Sequence, residues 1–242
     1  MSRIGFFVLD NNNVQIQLKL FEQLISQESV EDVEIFSTKC EVKVLIPLIA
    51  YLYNYAAKTH PNKDLTIVPV DGEMGFADGY DVDTVKLEIT DIEIGNVICI
   101  GGTFDHIHYG HKLLITAAAL LTRETLIVGI NMAISRKQFV ELIQPLHVRV
   151  AKVSELIYKV NDKLTLYLQP ITDPAGPAAT YPKIDVLVLS QETMNGGNYV
   201  NNIREKNGLP KTRFYVIPLV NDIKGDRVNS TEIREKIKMS NN

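Results

Sequence analysis

The sequence predicts an α/β chain: a doubly wound, five-stranded parallel sheet preceded by a smaller α/β domain. Two patterns carry that reading. Short runs at 97–100, 126–130, 164–168, 186–189 and 214–217 are continuously apolar, as strands buried on both faces of a parallel sheet are. Between them, and after the last, stretches at 112–121, 148–160, 199–205 and 232–239 repeat their apolar positions at helical spacing, so strand and crossover helix alternate. Composition agrees: 242 residues, 45% hydrophobic and 22% charged, suffice for two packed domains and exclude disorder as the main state.

The smaller domain comes first. Strand-like residues 4–9, 34–37 and 65–70 surround a long apolar stretch at 45–57 that reads as a helix, with Pro47 in its first turn, where a missing N–H costs nothing. Residues 71–83 mix glycines and aspartates without an apolar period and read as a loop. The domain boundary is expected near Ile94, dividing the chain into 1–95 and 96–242. No motif in residues 1–95 names a chemistry.

Several function classes drop out. With 25 Lys and Arg against 29 Asp and Glu, a formal charge of −4 and a pI near 5.8, the chain lacks the basic footprint of a nucleic-acid binder. Its longest apolar runs, 4–9 and 113–121, fall short of the roughly 18 residues a membrane span needs. The N-terminus has no secretory h-region, so it reads as mature sequence and the location expected is cytoplasmic. Cys40 and Cys99 are far apart, each in an apolar pattern, and read as reduced core thiols.

Ligands of doubly wound sheets bind beyond the carboxyl ends of the strands. Just there, after the first strand of the larger domain, stands Gly101-Gly102-Thr103-Phe104-Asp105-His106-Ile107-His108-Tyr109-Gly110-His111, with a helix expected to start at about Tyr109. Paired glycines let a ligand approach the backbone, and a helix N-terminus attracts phosphate through its free N–H groups and its dipole. Three of the five histidines of the chain fall in this turn. One histidine at a helix start would read as a cap or a surface residue; His-x-Gly-His behind a glycine-rich strand end reads as a phosphate site. No Cys or carboxylate cluster supplies further ligands at metal-site spacing, so no metal site is expected. Ser230 and Thr231 open the last helix. Alone they would be N-caps, but at the same sheet edge they make a second phosphate cradle.

The turn resembles the signature of the nucleotidyltransferase superfamily that shares His-x-Gly-His, a Rossmann-like fold. Later segments narrow the resemblance to phosphopantetheine adenylyltransferase of the eukaryotic and archaeal branch: Asp173-Pro174-Ala175-Gly176-Pro177; Val188-Leu189-Ser190-Gln191-Glu192-Thr193 with Gly196-Gly197; Asn201, Arg204 and Gly208-Leu209; and Asn229-Ser230-Thr231-Glu232-Ile233-Arg234. It covers about residues 96–239. What it implies is transfer of AMP from ATP to 4′-phosphopantetheine, giving dephospho-CoA and pyrophosphate, the penultimate step of coenzyme A biosynthesis. Mg2+ would be carried by ATP, and other coenzyme A pathway enzymes would be partners. The resemblance further implies roles. His111 and His108 meet the ATP phosphates, Lys137 the reacting phosphates, and Thr103 orients the incoming phosphate. Ser230 and Thr231 take the β and γ phosphates. Ser190, Glu192, Thr193 and Asn201 line the nucleotide pocket, Arg204 contacts phosphate or nucleotide, and Asp173 walls the substrate pocket. Gly101, Gly102, Phe104 and Asp105 complete the binding turn. The segment 131–136 is shorter than in many relatives and lacks their acidic residue, which leaves Arg136 as an alternative to Lys137.

Rival readings are a cytidylyltransferase, whose ending pattern differs from Asn229–Arg234, a class I aminoacyl-tRNA synthetase, and a non-catalytic scaffold that kept the fold. No Gly-x-x-x-x-Gly-Lys-Ser/Thr string occurs, so a further kinase step on the product is not expected of these residues.

Overall fold

A computed structural model of the chain describes residues 2–5, 19, 21–28, 30, 32–36, 42–70, 95–135 and 137–240. Three short parallel strands come first: β1 (Ser2–Gly5), β2 (Asp32–Phe36) and β3 (Thr66–Val70), ordered β1-β2-β3. Helix α1 (Val42–Thr59) connects the second to the third. It begins ahead of the expected residue 45, which moves Pro47 out of the first turn and into the helix body, a correction to the sequence reading. Pro47 lies on the exposed side, where a carbonyl that loses its helical partner is met by water. The expected loop at 71–83, the boundary near Ile94, and Cys40 and Arg136 lie outside the described residues.

The larger sheet holds β4 (Gly95–Gly102), β5 (Thr122–Asn131), β6 (Thr165–Ile171), β7 (Val186–Ser190) and β8 (Arg213–Ile217), all parallel and ordered β6-β5-β4-β7-β8. Helices α2 (Tyr109–Leu121), α3 (Leu146–Val160), the short α4 (Gly176–Thr180) and α5 (Met194–Lys206) make the connections, and α6 (Ser230–Ser240) follows the last strand. The chain winds outward from β4 to β6 and then returns to lay β7 against the other side of β4, pairing Ile98 with Leu126 on one flank and Val186 on the other. Strand order therefore reverses at the end of β4, the position where such sheets bind ligands.

Side chains alternate across the sheet with a period of two. Ile98, Ile100, Leu126, Val128, Ile130, Val186 and Val188 face one large core, where Leu113 and Ile115 of α2 and Val153 and Ile157 of α3 cover them. Val97, Cys99, Ile127 and Leu187 face a second cluster under Ala178, Ala179 and Val200. Burial pushes the Cys99 thiol up to about 12, so it is an inert core group. Helix α5 starts at Met194 although Gly196-Gly197 argue against helix, because it lies hard on the sheet: a Cβ on Gly197 would meet Leu189 at 2.5 Å and Phe214 at 3.0 Å. The large core extends beyond the larger sheet. Ile49, Leu52, Tyr53 and Ala56 of α1, with Leu65 and Ile67, belong to the same apolar cluster as α2.

Candidate active site

Beyond Gly102 the chain makes a tight turn in which two bulky residues take left-handed backbone, Phe104 at φ +50° and His106 at φ +40°. Such conformations persist where surroundings over-determine them. Here Asp105, fully buried, accepts the Gln144 N–H at 2.8 Å and the Arg234 guanidinium at 2.5 Å, while Ser230 Oγ donates to the Asp105 carbonyl at 2.6 Å. The His106 N–H donates to Gln144 Oε1 at 3.0 Å, and its ring Nε2 meets the Leu142 carbonyl at 2.9 Å. Arg149, 1% exposed, donates to the carbonyls of Thr103, Asn131 and Gln144 at 2.7 to 3.0 Å and so fastens the ends of β4 and β5 to the loop before α3.

From this turn α2 begins with His108 at the N-cap and no side chain among the described residues capping it. The His108 and His111 rings stack at 3.9 Å and 27°, with the Phe104 ring 5.5 Å from His111. Glycine at 110 fits that stack, since a Cβ there would press to 3.2 Å on the His108 ring. Burial pushes His111 down to about 4; the Asp105 charge opposes this, and Lys137 and Arg227 add to it. Burial, with His111 and Arg227, holds His108 well below the usual imidazole range. Both rings are neutral at pH 7, and neither Nδ1, buried as each is, has a hydrogen-bond partner among the described residues. Buried polar atoms without partners are uncommon and mark where a ligand completes the bonding.

These groups face a cavity of about 310 Å³. Its floor is the turn 101–105 with His108, Gly110 and His111; Ser190, Glu192 and Thr193 form one side; residues 217–220 form another. Lys137 stands exposed at the rim, and Arg227, also at the rim, pairs with Glu192. Asn229, Ser230, Thr231 and Arg234 bring in the N-terminus of α6. The cap of that helix is Asn229, whose Oδ1 accepts the Glu232 N–H at 3.0 Å; the Ser230 hydroxyl reaches Asp105, and Thr231 Oγ1 accepts from Arg234 at 3.0 Å. Two helix N-termini thus open on one space beside two basic side chains, an arrangement suited to a run of phosphates.

A second cavity of about 210 Å³ adjoins the first at Gly101, Gly102 and Thr193 and is walled mainly by Ile171, Ala175, Ala178, Leu187, Leu189 and Val200. Asp173, expected as a substrate wall, points elsewhere: its carboxylate accepts the Ala175 N–H at 3.0 Å and is exposed, while its neighbours Pro174 and Ala175 line the cavity. Two further residues leave the site. Arg204, 0% exposed, donates to the carbonyls of Ala178, Tyr181, Pro182 and Pro210 at 2.8 to 3.2 Å, so its guanidinium brackets backbone instead of nucleotide. Asn201 pairs its amide with the Thr212 backbone at 2.8 and 2.9 Å, which ties α5 to the start of β8. Asp105 lines the pocket, but its carboxylate is committed to Arg234 and Gln144.

The sequence reading missed Arg227 and Asn229 as pocket residues, and Arg149 and Arg234 as the brackets behind the turn. A signal existed for one of them: Leu146, Arg149 and Val153 share a helical stripe, so Arg149 is a charge on a buried face. Among the described residues no cluster of His, Cys, Asp and Glu could hold a metal ion, and no helix is long and apolar enough to cross a membrane.

Residues 99–236 match the family model described as cytidylyltransferase-like. The chain is 35% identical over 151 residues to phosphopantetheine adenylyltransferase of Saccharomyces cerevisiae, covering 60% of this chain and 50% of the yeast protein. It is 31% identical over 140 residues to phosphopantetheine adenylyltransferase of Pyrobaculum aerophilum, covering 57% of this chain and 88% of that protein, and 27% identical over 140 residues to that of Methanopyrus kandleri, covering 58% and 89%. It spans about half the length of the yeast relatives it matches and most of the length of the archaeal ones. The chain belongs to the cytidylyltransferase-like family and, within it, to the phosphopantetheine adenylyltransferases of the eukaryotic and archaeal branch.

Proposed function

We propose that the chain transfers AMP from ATP to 4′-phosphopantetheine and releases pyrophosphate and dephospho-CoA. The observation that carries this reading is the pair of helix N-termini, α2 and α6, opening on one cavity with His108 and His111 at its floor and Lys137 and Arg227 at its rim. The names of the relatives supply the acceptor, and the apolar second cavity offers room for the pantetheine arm next to the phosphate site.

The nucleophile is a phosphate oxygen of phosphopantetheine, already anionic, so no general base is required. Its attack forms a bond to the α-phosphorus of ATP, and the bond from that phosphorus to the bridging oxygen of the β-phosphate breaks, sending the electron pair out with pyrophosphate. The protein must align the two phosphates and stabilise charge on the leaving group. His111 and His108, both neutral, donate ring N–H groups to triphosphate oxygens. The first-turn amides of α2 and α6 add donors without adding net charge. Lys137 neutralises the reacting phosphates, and Thr103, held through its carbonyl by Arg149, orients the acceptor. Mg2+ arrives on ATP as part of the substrate. The setting in which these metabolites meet is the cytoplasm, with other coenzyme A pathway enzymes supplying the acceptor and consuming the product.

The test is product analysis with purified protein and Mg2+, crossing ATP and CTP against phosphopantetheine, phosphocholine and phosphoethanolamine. A single adenylylated product from ATP and phosphopantetheine is expected, unphosphorylated at its ribose 3′-hydroxyl. Turnover only with CTP and a phospho-alcohol would replace this reading with a cytidylyl transfer.

A further inference from the structure

The first turn of α2 has two working sides. His108 and His111 face the cavity, while the residue after each, Tyr109 and Lys112, faces the N-terminal unit, as the roughly 100° per residue of a helix requires. The Tyr109 ring is 5% exposed and stacks on Tyr53 of α1 at 5.5 Å and 29°; its hydroxyl donates to the Lys63 carbonyl at 2.5 Å, with the His60 carbonyl at 3.3 Å. Lys112 is 3% exposed, and its ammonium donates to Asp64 Oδ1 at 2.5 Å, the Leu65 carbonyl at 2.7 Å and Thr66 Oγ1 at 3.1 Å. Each of these hydrogen-bond partners lies in residues 60–66, from the end of α1 to the start of β3.

A separate contact reaches the opposite wall of the same cavity. Asn54 of α1 donates to the Leu219 carbonyl at 3.2 Å and accepts the Asn221 N–H at 2.9 Å, while its other amide hydrogen goes to the Ala50 carbonyl at 2.9 Å. Pro218, Leu219 and Val220 line the pocket. Helix α1 and the segment that follows it therefore hold both walls, although the walls are about a hundred residues apart in sequence.

Cohesion alone does not call for this chemistry. An apolar side chain at 112 would bury at least as favourably as a lysine that must lose its hydration, and its ion-pair partner Asp64 is exposed, so solvent screening leaves that pair worth little as cohesion. What the polar contacts supply is direction. A lysine with three donors, all engaged, and an amide gripping both a C=O and an N–H fix the rotation of α2 and the height of the 218–221 loop.

We propose that the N-terminal unit is a working part of the active site, a brace in which Asn54 and Asp64, with Tyr109 and Lys112 as their counterparts on α2, position the histidine turn and the facing loop for catalysis. The proposal rests on the adenylyl-transfer reading. Tyr109, Lys112, Asp64 and Asn54 are positioning residues: they touch no reacting atom and act through His108, His111 and the loop backbone. The two contacts should therefore fail differently, the α2 side through turnover and the loop side through nucleotide affinity.

The experiment compares full-length Tyr109→Phe, which keeps the ring and its burial, with Asn54→Ala. Tyr109→Phe is expected to lower kcat about tenfold with KM for ATP within about twofold, the scale lost when a reacting group is slightly misplaced. Asn54→Ala is expected to raise KM for ATP about fivefold with kcat within about twofold, as a wall loses its set position. Circular dichroism and thermal melting accompany both, so an unfolded variant is recognised and the other still decides. If both variants melt earlier yet keep wild-type kcat and KM, the unit is merely packing and the proposal is overturned. Should the wild-type chain make no dephospho-CoA at all, the adenylyl-transfer reading fails by itself, and imidazole NMR then decides the brace. Displaced His108 and His111 signals in Tyr109→Phe uphold it; unchanged signals overturn it.

Discussion

The two helix ends that open on the cavity are built on different plans. Among the described residues, helix α2 enters with no side-chain cap and with two neutral imidazoles whose Nδ1 atoms lack partners, so its donors wait for something outside the protein. Helix α6 commits more of its end to the protein: Asn229 takes the Glu232 N–H, Ser230 reaches the Asp105 carbonyl, and Thr231 and Asp105 both hold Arg234. The first end is given over to chemistry, and the second serves architecture as well. The Asp105–Arg234 pair, both side chains at 2% exposure or less, joins them and makes the geometry of one depend on the other.

That dependence can be broken most severely at the joint. Asp105→Ala leaves the Arg234 guanidinium buried without its carboxylate and strands the Gln144 N–H, a loss of about 3–5 kcal/mol for one-sided removal of a buried pair. Urea unfolding should show this as a lower midpoint, and Asp105→Ala with Arg234→Met should recover part of it. A midpoint within experimental error of wild type would mean the two helix ends stand independently.

The next effect separates chemistry from architecture. His111→Ala should lower kcat by about 10²–10³-fold, the scale of one lost transition-state donor, while unfolding stays near wild type. A variant that instead loses stability and keeps its turnover would place His111 with the architecture.

The neutral imidazoles also leave a signature in pH. Unfolded, His111 takes a proton at its ordinary 6.5; folded, it does so only near 4. Between those values the unfolded chain binds the extra proton, so the stability is present above pH 6.5 and is lost as the pH falls toward 4, a contribution of about 3 kcal/mol from this group. His108 is lowered in the same direction and adds to the slope. Unfolding free energy followed from pH 7 to pH 4 should fall by that order, and His111→Ala should flatten part of the decline. A flat profile in the wild-type chain would show that these rings are hydrated and take up protons as they do in the unfolded chain.

The sequence made the sheet and the histidine turn legible because each is a local pattern: apolar runs of strand length, and glycines and histidines packed into one strand end. Arginines were read less well, for a physical reason. Arg204 and Arg149 satisfy their guanidinium groups on main-chain carbonyls, and a carbonyl acceptor leaves no trace in residue identity, so a single sequence does not distinguish a buried bracket from a phosphate contact. Asn201 and Asp173 misled in the same way, since both side chains bond to main-chain N–H groups. Ser230 and Thr231 hid the true cap, because Asn229 beside them is an equally good one and only the backbone at the first turn decides between them. The contacts from residues 54–66 were out of reach, since they depend on how the N-terminal elements lie on α2 and the 218–221 loop.

The smallest expected effect tests whether phosphate reaches the architectural end at all. Asn229→Ala removes the cap from α6 and frees the Glu232 N–H, which costs about 1 kcal/mol in the nucleotide-free protein. Asn229→Ser keeps an acceptor at that position and should stay near wild type. With saturating Mg2+ and ATP, a phosphate oxygen lying at this helix end would accept from the freed N–H, so the difference in melting temperature between Asn229→Ala and wild type should shrink, because ligand binding adds stability only to the folded chain. The Asn229 amide also donates to Glu232 Oε1 at 2.6 Å, a bond that both Ala and Ser lose, so a gap that appears for Ser as well as Ala would assign that part of the loss to the side-chain bond. A gap of the same size with and without ATP in every variant would place the phosphates on α2 alone and leave α6 as a support that the nucleotide never touches.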